Sequence, residues 1–478
     1  MKEDIQKVVS KSVESIAKNI KIADLSVEVE VGIPKRKEFG DFSVNTAMVI
    51  ANKIGKKPRE VAELIIENLP KEKDELFKKV EIAGAGFINF YVKEEAIVNK
   101  LKEIEDNGEK FGTSDMGKGE KVLVEFVSAN PTGFLHIGHA RNAVVGDAVS
   151  RILDASGYSV VKEFYINDAG RQMNLLGESV FIRYKELFGQ NEDLPEDGYK
   201  GEYVKEIAYQ IKTEKGDSLL KDSSQAESTE YCKKFAAAVL LDEIKKDLAD
   251  INVFFDEWYS EKDNIHEVAE GSEDSKLYQI KDLLNSKGVL EEREGALWFK
   301  ATEYGDNQDW VLIKSDGSPT YFLADIAYHY DKFKRGFESI INVWGADHHG
   351  HVSRLKAALR SLGLDDSRFN VVLIQFVRLM RQGKEVAMSK RTGTYVTMRD
   401  VVDEVGSDVT RFFLLMRSSE SHLDFDLDLA KKESSENPVY YIQYAHARIK
   451  SIFRKASETD ITESKEHLEL LQAPEEIE

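Results

Sequence analysis

The stretch from Asn130 to Asp147 reads NPTGFLHIGHARNAVVGD, and its two imidazoles, His136 and His139, lie three residues apart where a helical pattern begins. Side chains at that spacing share one helical face. The N-terminus of a helix offers unpaired backbone N–H groups and favours anions. Gly133 and Gly138 let a backbone or a ligand come close. Two ring donors at such a place suit a polyphosphate: they would stabilise the charge that develops when an α-phosphate is attacked. Histidines that merely cap the helix explain the pair about as well. A metal would need more ligands than this segment supplies.

A second segment, QGKEVAMSKRTGTYVTMRD, holds Met388, Ser389, Lys390 and Arg391 between Gly383 and Gly393. A lysine on a glycine-flanked loop can swing onto a triphosphate as a point charge. Taken alone, Lys390 and Arg391 read as a solvated surface pair. A third segment, VWGADHHGHVSRL, crowds Asp347, His348, His349 and His351 into five residues. A metal site is one reading. The other follows from the pattern of a strand ending at Gly345 before a helix, which puts these groups at a nucleotide crevice beyond a strand's carboxyl end.

These groups need a scaffold, and the chain has the length for one. Its 478 residues carry a formal net charge of -20 and are 42% hydrophobic. That length suits about three domains. No apolar run is long enough to span a bilayer, and MKEDIQKVVSKSVESIAK has charges throughout where a signal peptide has an apolar core. Ile5, Val8, Val9, Val13 and Ile16 there recur at helical spacing. The single cysteine, Cys232, lies in a helical pattern and reads as an inert buried thiol. An acidic chain is a poor nonspecific nucleic-acid binder, although a local basic patch would suffice for a specific one.

Residues 1–112 alternate helix and short-strand patterns, SVEVEVG and VEIAGAGFINFYV reading as strands, and predict a small α+β module. KVLVEFV then has the near-continuous apolar character of a buried parallel strand.

Together, the His136-Ile137-Gly138-His139 stretch and the Met388–Lys390 loop resemble the two signatures of class I aminoacyl-tRNA synthetases. The first signature is matched in full. The second departs, with Ala387 for its first lysine and Arg391 for its final serine, so its charge rests on Lys390, with Lys384 and Arg391 as supplements. Within that class the chain resembles bacterial arginyl-tRNA synthetases over almost its whole length. EFVSANPTGFLHIGHARNAVVGD, YINDAGRQM, VWGADHHGHVSRLKAAL, MSKRTG and LDFDLDLAKKESSENPVYYIQYAHARI carry the resemblance. PKRKEFGDFSVNTAMVIA carries it into an N-terminal module that glutamyl, cysteinyl and methionyl enzymes lack.

The resemblance implies an α/β, Rossmann-type catalytic domain at 113–400 with an insertion at about 160–300, an N-terminal α+β module at 1–112, a helical connection at 401–436 and the start of a C-terminal anticodon-binding helical bundle at 437–478. Family members continue beyond Glu478 by roughly a hundred residues, so a C-terminally truncated chain is expected. Catalysis would rest on His136, His139 and Lys390, and ATP on Gly133, Ile137, Gly138, Gly345, Asp347, His348, Met388 and Ser389. Arginine would meet Glu125, Ser128, Asn130, Tyr321 and Asp325, and tRNA would meet Lys35, Arg36 and Lys37. A guanidinium does call for carboxylates and planar hydrogen bonding, and Tyr321 and Asp325 share a helical face. Asp168 in YINDAG is a weaker choice, since an Asn-Asp turn explains it equally well.

Also implied are ATP with Mg²⁺, no protein-held metal, tRNA(Arg) and L-arginine as partners, a monomer, no membrane, and a cytoplasmic site. Family members commonly need tRNA for the first step. Three other readings stay open: a nucleotidylyltransferase, a synthetase for another amino acid, and a tRNA-binding paralogue without catalysis.

Overall fold

The apolar stripe of the first twenty residues folds as its spacing predicts: Ile5, Val8, Val9, Val13 and Ile16 are the buried face of the helix Lys2–Ile20. The computed structural model describes residues 1–22, 25, 27–268, 274–386 and 396–459. They divide into two units, Met1–Gly112 with Ile452–Glu478, and Thr113–Ser451.

The first unit has a four-stranded antiparallel sheet of β1 (Val31–Gly32), β2 (Phe42–Val44), β3 (Phe77–Ala83) and β4 (Phe87–Val92), in the order β1-β2-β4-β3. The strand expected over SVEVEVG shrinks to its last two residues. Its partner β2 has three residues, of which Val44 and Ser43 pair with Val31 and Gly32. Helices Thr46–Ile54 and Pro58–Glu67 pack on the sheet. Gly55, in the left-handed conformation, ends the first, and Pro58 opens the second. Ile5, Val44, Val61, Ile65, Ile88 and Phe90 meet in this unit's core.

The second unit is built on parallel strands. They are β5 (Lys121–Glu125), β6 (Ser159–Ile166) and β7 (Glu257–Ser260), then, after an antiparallel trio of β8 (Leu290–Arg293), β9 (Ala296–Phe299) and β10 (Trp310–Ile313), β11 (Ser339–Gly345) and β12 (Phe369–Ile374). The parallel sheet runs β12-β11-β5-β6-β7. Helix Ile137–Ala155 links β5 to β6, and helix His349–Ser361 links β11 to β12. The winding therefore reverses between β5 and β11, which opens a crevice at their carboxyl ends.

The insertion expected at about 160–300 is not one block. Ser159–Ile166 and Glu257–Ser260 are strands of the parallel sheet, so the excursion splits in two. Helices Arg171–Glu186, Glu202–Lys215 and Gln225–Asp250 lie between β6 and β7, and β8–β10 follow β7. The helices enclose Leu176, Tyr184, Ile207, Leu240 and Cys232, and burial pushes the Cys232 thiol up to about 12.

Beyond β12, the strands β13 (Val377–Arg381), β14 (Lys384–Glu385) and β15 (Leu423–Asp426) form a small sheet in the order β14-β13-β15. β15 falls in the stretch expected to be a helical connection. Its alternation decides otherwise: Leu423 and Phe425 are buried while Asp424 is exposed and binds Arg378 of β13. Among the described residues, no helix is long and apolar enough to cross a membrane.

Candidate active site

His136 is the N-cap of the helix Ile137–Ala155, and its Nδ1 accepts hydrogen bonds from the backbone N–H groups of Gly138 (3.1 Å) and His139 (3.4 Å). His139 returns the bond, its Nδ1 accepting from the His136 backbone N–H at 3.2 Å. The result is a capping box in which both polar partners are imidazoles. The rings stack with centroids 3.7 Å apart and planes 18° apart. An imidazole that accepts at Nδ1 carries its hydrogen on Nε2. The capping and chemical readings of this pair are therefore compatible, because the caps fix the rings in one tautomer and one orientation. Gly138 suits this arrangement, since a Cβ there would lie 3.0 Å from the His136 ring.

The segment between β5 and the histidines is strained. Val127 has φ 69° and Ser128 φ 45°. A β-branched residue at positive φ is an outlier that its surroundings must impose. Asn142 does so from the histidine helix: its side chain accepts from Val127 N–H at 2.7 Å and donates to the Val343 carbonyl of β11 at 2.8 Å. Ser128 Oγ donates to Glu125 Oε1 at 2.8 Å and accepts from Tyr165 N–H at 3.3 Å. Asn130 donates to the Asn167 carbonyl at 3.3 Å. Gly133 follows in the turn that leads to the histidines.

Glu125 ends β5 and is 4% exposed. Lys332, fully buried on helix Tyr321–Lys334, donates to Glu125 Oε2 at 2.5 Å and to Asn342 Oδ1 at 2.9 Å. Asn342 in turn bonds His329, whose Nδ1 meets the Asp325 carbonyl at 2.8 Å. Burial first, then Lys332, drives the His329 imidazole well below its usual range. Glu125, expected with Asp325 beside arginine, thus has its charge matched inside the protein by Lys332. Sequence reading missed Lys332, which had no local signal.

Tyr321 and Asp325 lie one turn apart on that helix, as their spacing predicts. Tyr321 is 63% exposed, and its ring edge approaches the place where a Cβ on Gly170 would stand. Asp325 Oδ2 pairs with His351 Nε2 at 3.0 Å. A second missed residue, the carboxylate Glu261, follows β7, is 3% exposed and bonds His266 at 2.9 Å and the Tyr165 hydroxyl. Burial, with Glu261, Asp325 and Glu125 around it, keeps the Tyr165 proton in place well above the usual phenol range. Three carboxylates therefore act on one buried hydroxyl between β5, β7 and helix Tyr321–Lys334. Asp168 is structural: it accepts from Ser260 Oγ (2.7 Å) and Lys262 N–H (2.9 Å), tying β6 to β7.

Across the crevice, β11 ends at Gly345, and a short 3₁₀ turn, Ala346–His348, precedes the helix His349–Ser361. Asp347, His348 and His349 are exposed there, whereas His351 turns inward to Asp325. The cluster is dispersed, and among the described residues no three His, Cys, Asp or Glu side chains come together as a metal would need. The side chain of Ile137, expected at the nucleotide, is fully buried in the hydrophobic core.

Met388, Ser389 and Lys390, with Ala387 and Arg391, lie outside the described residues. Both flanks of that segment are described. β13 and β14 precede it, and Thr397, after it, makes an isolated bridge with His136 while Met398 N–H bonds the Leu135 carbonyl at 2.7 Å.

Within the first unit, Lys35, Arg36 and Lys37 lead into the turn Lys37–Phe39, and all three side chains are solvent-facing in part or whole. Gly40 at φ 93° lets the turn approach β4, where a Cβ would come within 2.8 Å of the Phe90 carbonyl. Asp41 anchors it by accepting from Val92 N–H at 2.7 Å. Arg36 pairs with Glu38 at 3.3 Å in an exposed, weak contact.

Two family models match. One, described as tRNA synthetases class I (R), catalytic domain, covers residues 100–422. The other, described as Arginyl tRNA synthetase N terminal domain, covers residues 2–92. An arginine–tRNA ligase of Citrifermentans bemidjiense is 48% identical over 100% of this chain and 85% of its own length. One of Staphylococcus carnosus is 45% identical over 96% of this chain and 82% of its own. A Campylobacter jejuni crystal structure described as an arginyl tRNA synthetase superposes with TM-score 0.71 at 36% identity, covering 79% of this chain and 81% of that one. The Thermus thermophilus arginyl-tRNA synthetase shares the fold, with TM-score 0.70 at 20% identity over 95% and 82% of the two chains.

Proposed function

The chain belongs to the arginyl-tRNA synthetases and is an arginine–tRNA ligase, and on that premise we propose which of its groups do the work. Its reaction consumes L-arginine, ATP and tRNA(Arg). A carboxylate oxygen of arginine attacks the α-phosphorus of ATP, the bond to pyrophosphate breaks, and arginyl-adenylate forms. A hydroxyl of the 3′-terminal ribose of tRNA then attacks the arginyl carbonyl, and AMP leaves.

His136 and His139 aim Nε2–H donors at the phosphates, where charge grows in the first step. The observation that carries this reading is the reciprocal capping box, which locks both rings at a helix N-terminus. Gly133, Gly138 and Gly345 keep the crevice open to the nucleotide, with Asp347 and His348 at its rim. Lys390, with Met388 and Ser389, supplies positive charge from the second signature. Mg²⁺ would arrive with ATP as part of that substrate. Catalysis is then positioning plus charge stabilisation, with no covalent enzyme intermediate.

Asp325 takes the guanidinium, Tyr321 packs along the side chain, and Asn130 and Ser128 meet the polar end of the amino acid. Glu125 acts through Ser128, which it holds in the strained turn. The N-terminal unit meets tRNA through Lys35, Arg36 and Lys37, and the enzyme works as a cytoplasmic monomer. The test is Asp325→Asn, assayed for arginylation with tRNA present. Arginine use should weaken by about 2–5 kcal/mol, as for loss of one partner of a buried charged hydrogen bond, with KM for ATP unchanged. Unaltered arginine kinetics would remove Asp325 from the guanidinium site.

A further inference from the structure

Arg141 stands two residues after His139, on the same helix, and is fully buried. Among the described residues its guanidinium hydrogen-bonds to backbone carbonyls only. Nη1 donates to Gln375 O at 2.8 Å and Ser421 O at 2.9 Å, and Nη2 donates to Ser418 O at 2.9 Å. Its Nε is buried without a hydrogen-bond partner among the described residues. Burial lowers its pKa from the usual arginine value, but a guanidinium stays charged in a protein.

Such a group is an expensive way to hold a core together. A buried charge without a carboxylate is costly, and well-packed apolar side chains often serve stability better. What a planar fork of donors supplies is orientation. The carbonyls it gathers are informative. Gln375 is the first residue after β12, and Ser418 and Ser421 precede β15. Gln375 N–H also bonds the Ser419 carbonyl at 2.9 Å, so the three acceptors form one knot. That knot is the foot of the β14-β13-β15 sheet, which leads into the second signature. On the other flank of that segment, Thr397 bridges His136 itself. The histidine helix is thus fastened to the platform of the second signature at both flanks, at its foot by Arg141 and beside the ring pair by Thr397.

We propose that Arg141 is a positioning residue for adenylate formation, setting the histidine pair against the platform of the second signature. The inference rests on the reading of His136 and His139 as phosphate donors. Arg141→Lys keeps the charge but cannot reach three carbonyls from two chain segments, and Arg141→Gln removes the charge.

The test compares both variants and His136→Ala, alone and combined with Arg141→Lys, by pyrophosphate exchange with tRNA present, alongside arginine KM and melting temperature. Both Arg141 variants should lose at least tenfold in kcat while arginine KM stays within twofold. The losses from Arg141→Lys and His136→Ala should be clearly less than multiplicative, because each disables the same pair. A residue that only supports the fold would lower melting temperature and active fraction without that coupling. Unchanged kcat in folded Arg141→Lys, or losses that multiply in full, would overturn the proposal. If Arg141→Gln fails to fold, Arg141→Lys decides alone. A fully active His136→Ala would sink the histidine reading, and the route through it with it.

Discussion

Lys332→Met would expose what the buried centre behind the crevice is worth. The side chain is fully buried, its Nζ lies 2.5 Å from Glu125 Oε2 and 2.9 Å from Asn342 Oδ1, and it sits 4.2 Å above the Tyr328 ring. Methionine matches the volume of the stem but not the charge. If only hydrogen bonds mattered, the loss would be about 0.5–1.5 kcal/mol each. A second cost dominates. Glu125, 4% exposed, is left as a buried carboxylate with Ser128 Oγ as its remaining described donor. Stranding one partner of a buried ion pair costs about 3–5 kcal/mol, a large share of the roughly 5–15 kcal/mol that holds a domain folded.

All four tryptophans, Trp258, Trp298, Trp310 and Trp344, belong to the second unit. Urea unfolding followed by tryptophan fluorescence therefore reports on that unit. Glu125→Gln/Lys332→Met should recover much of the loss, because neither charge remains. A deficit below about 1 kcal/mol, set against the expected penalty, or a double variant no better than the single one, would refute the reasoning.

Gly146→Ala should cost about 1–3 kcal/mol or more from overpacking, since a Cβ there would lie 2.2 Å from Phe126 Cγ; the same fluorescence measurement checks it. Cys232 should react with a thiol reagent only as fast as the helices around it open, because it is fully buried and its thiol is pushed up to about 12; rapid reaction in the native protein would contradict that burial. Replacing Lys35, Arg36 and Lys37 together by alanine should weaken tRNA binding and flatten the slope of log K against log salt by about 2–3, one counterion per lost phosphate contact. Filter binding across a salt series tests it, and identical slopes would take the loop off the tRNA interface.

Local signals carried most of the architecture of the site. The run KVLVEF has the composition of a strand buried on both faces, and β5 is central in the parallel sheet. His-Ile-Gly-His marks a helix start because capping and donor geometry both act within one turn. Tyr321 and Asp325 share a face because a helix repeats every 3.6 residues. Each of these depends on residues a few positions apart, so the chain's order is enough to reveal it.

Other features join residues that the chain keeps far apart. Lys332 and Glu125 are 207 positions apart, and Arg141 and its carbonyls 234 to 280. Glu261 joins the Asp325 neighbourhood only because β7 lies at the sheet edge beyond β6. β15 becomes a strand because β13 offers it an edge, and the Ile137 side chain is taken up by the core. Charge pairing and burial depend on what the completed fold brings within a few ångströms, and a lysine in a helical stretch looks the same before folding whether it will meet water or a buried carboxylate.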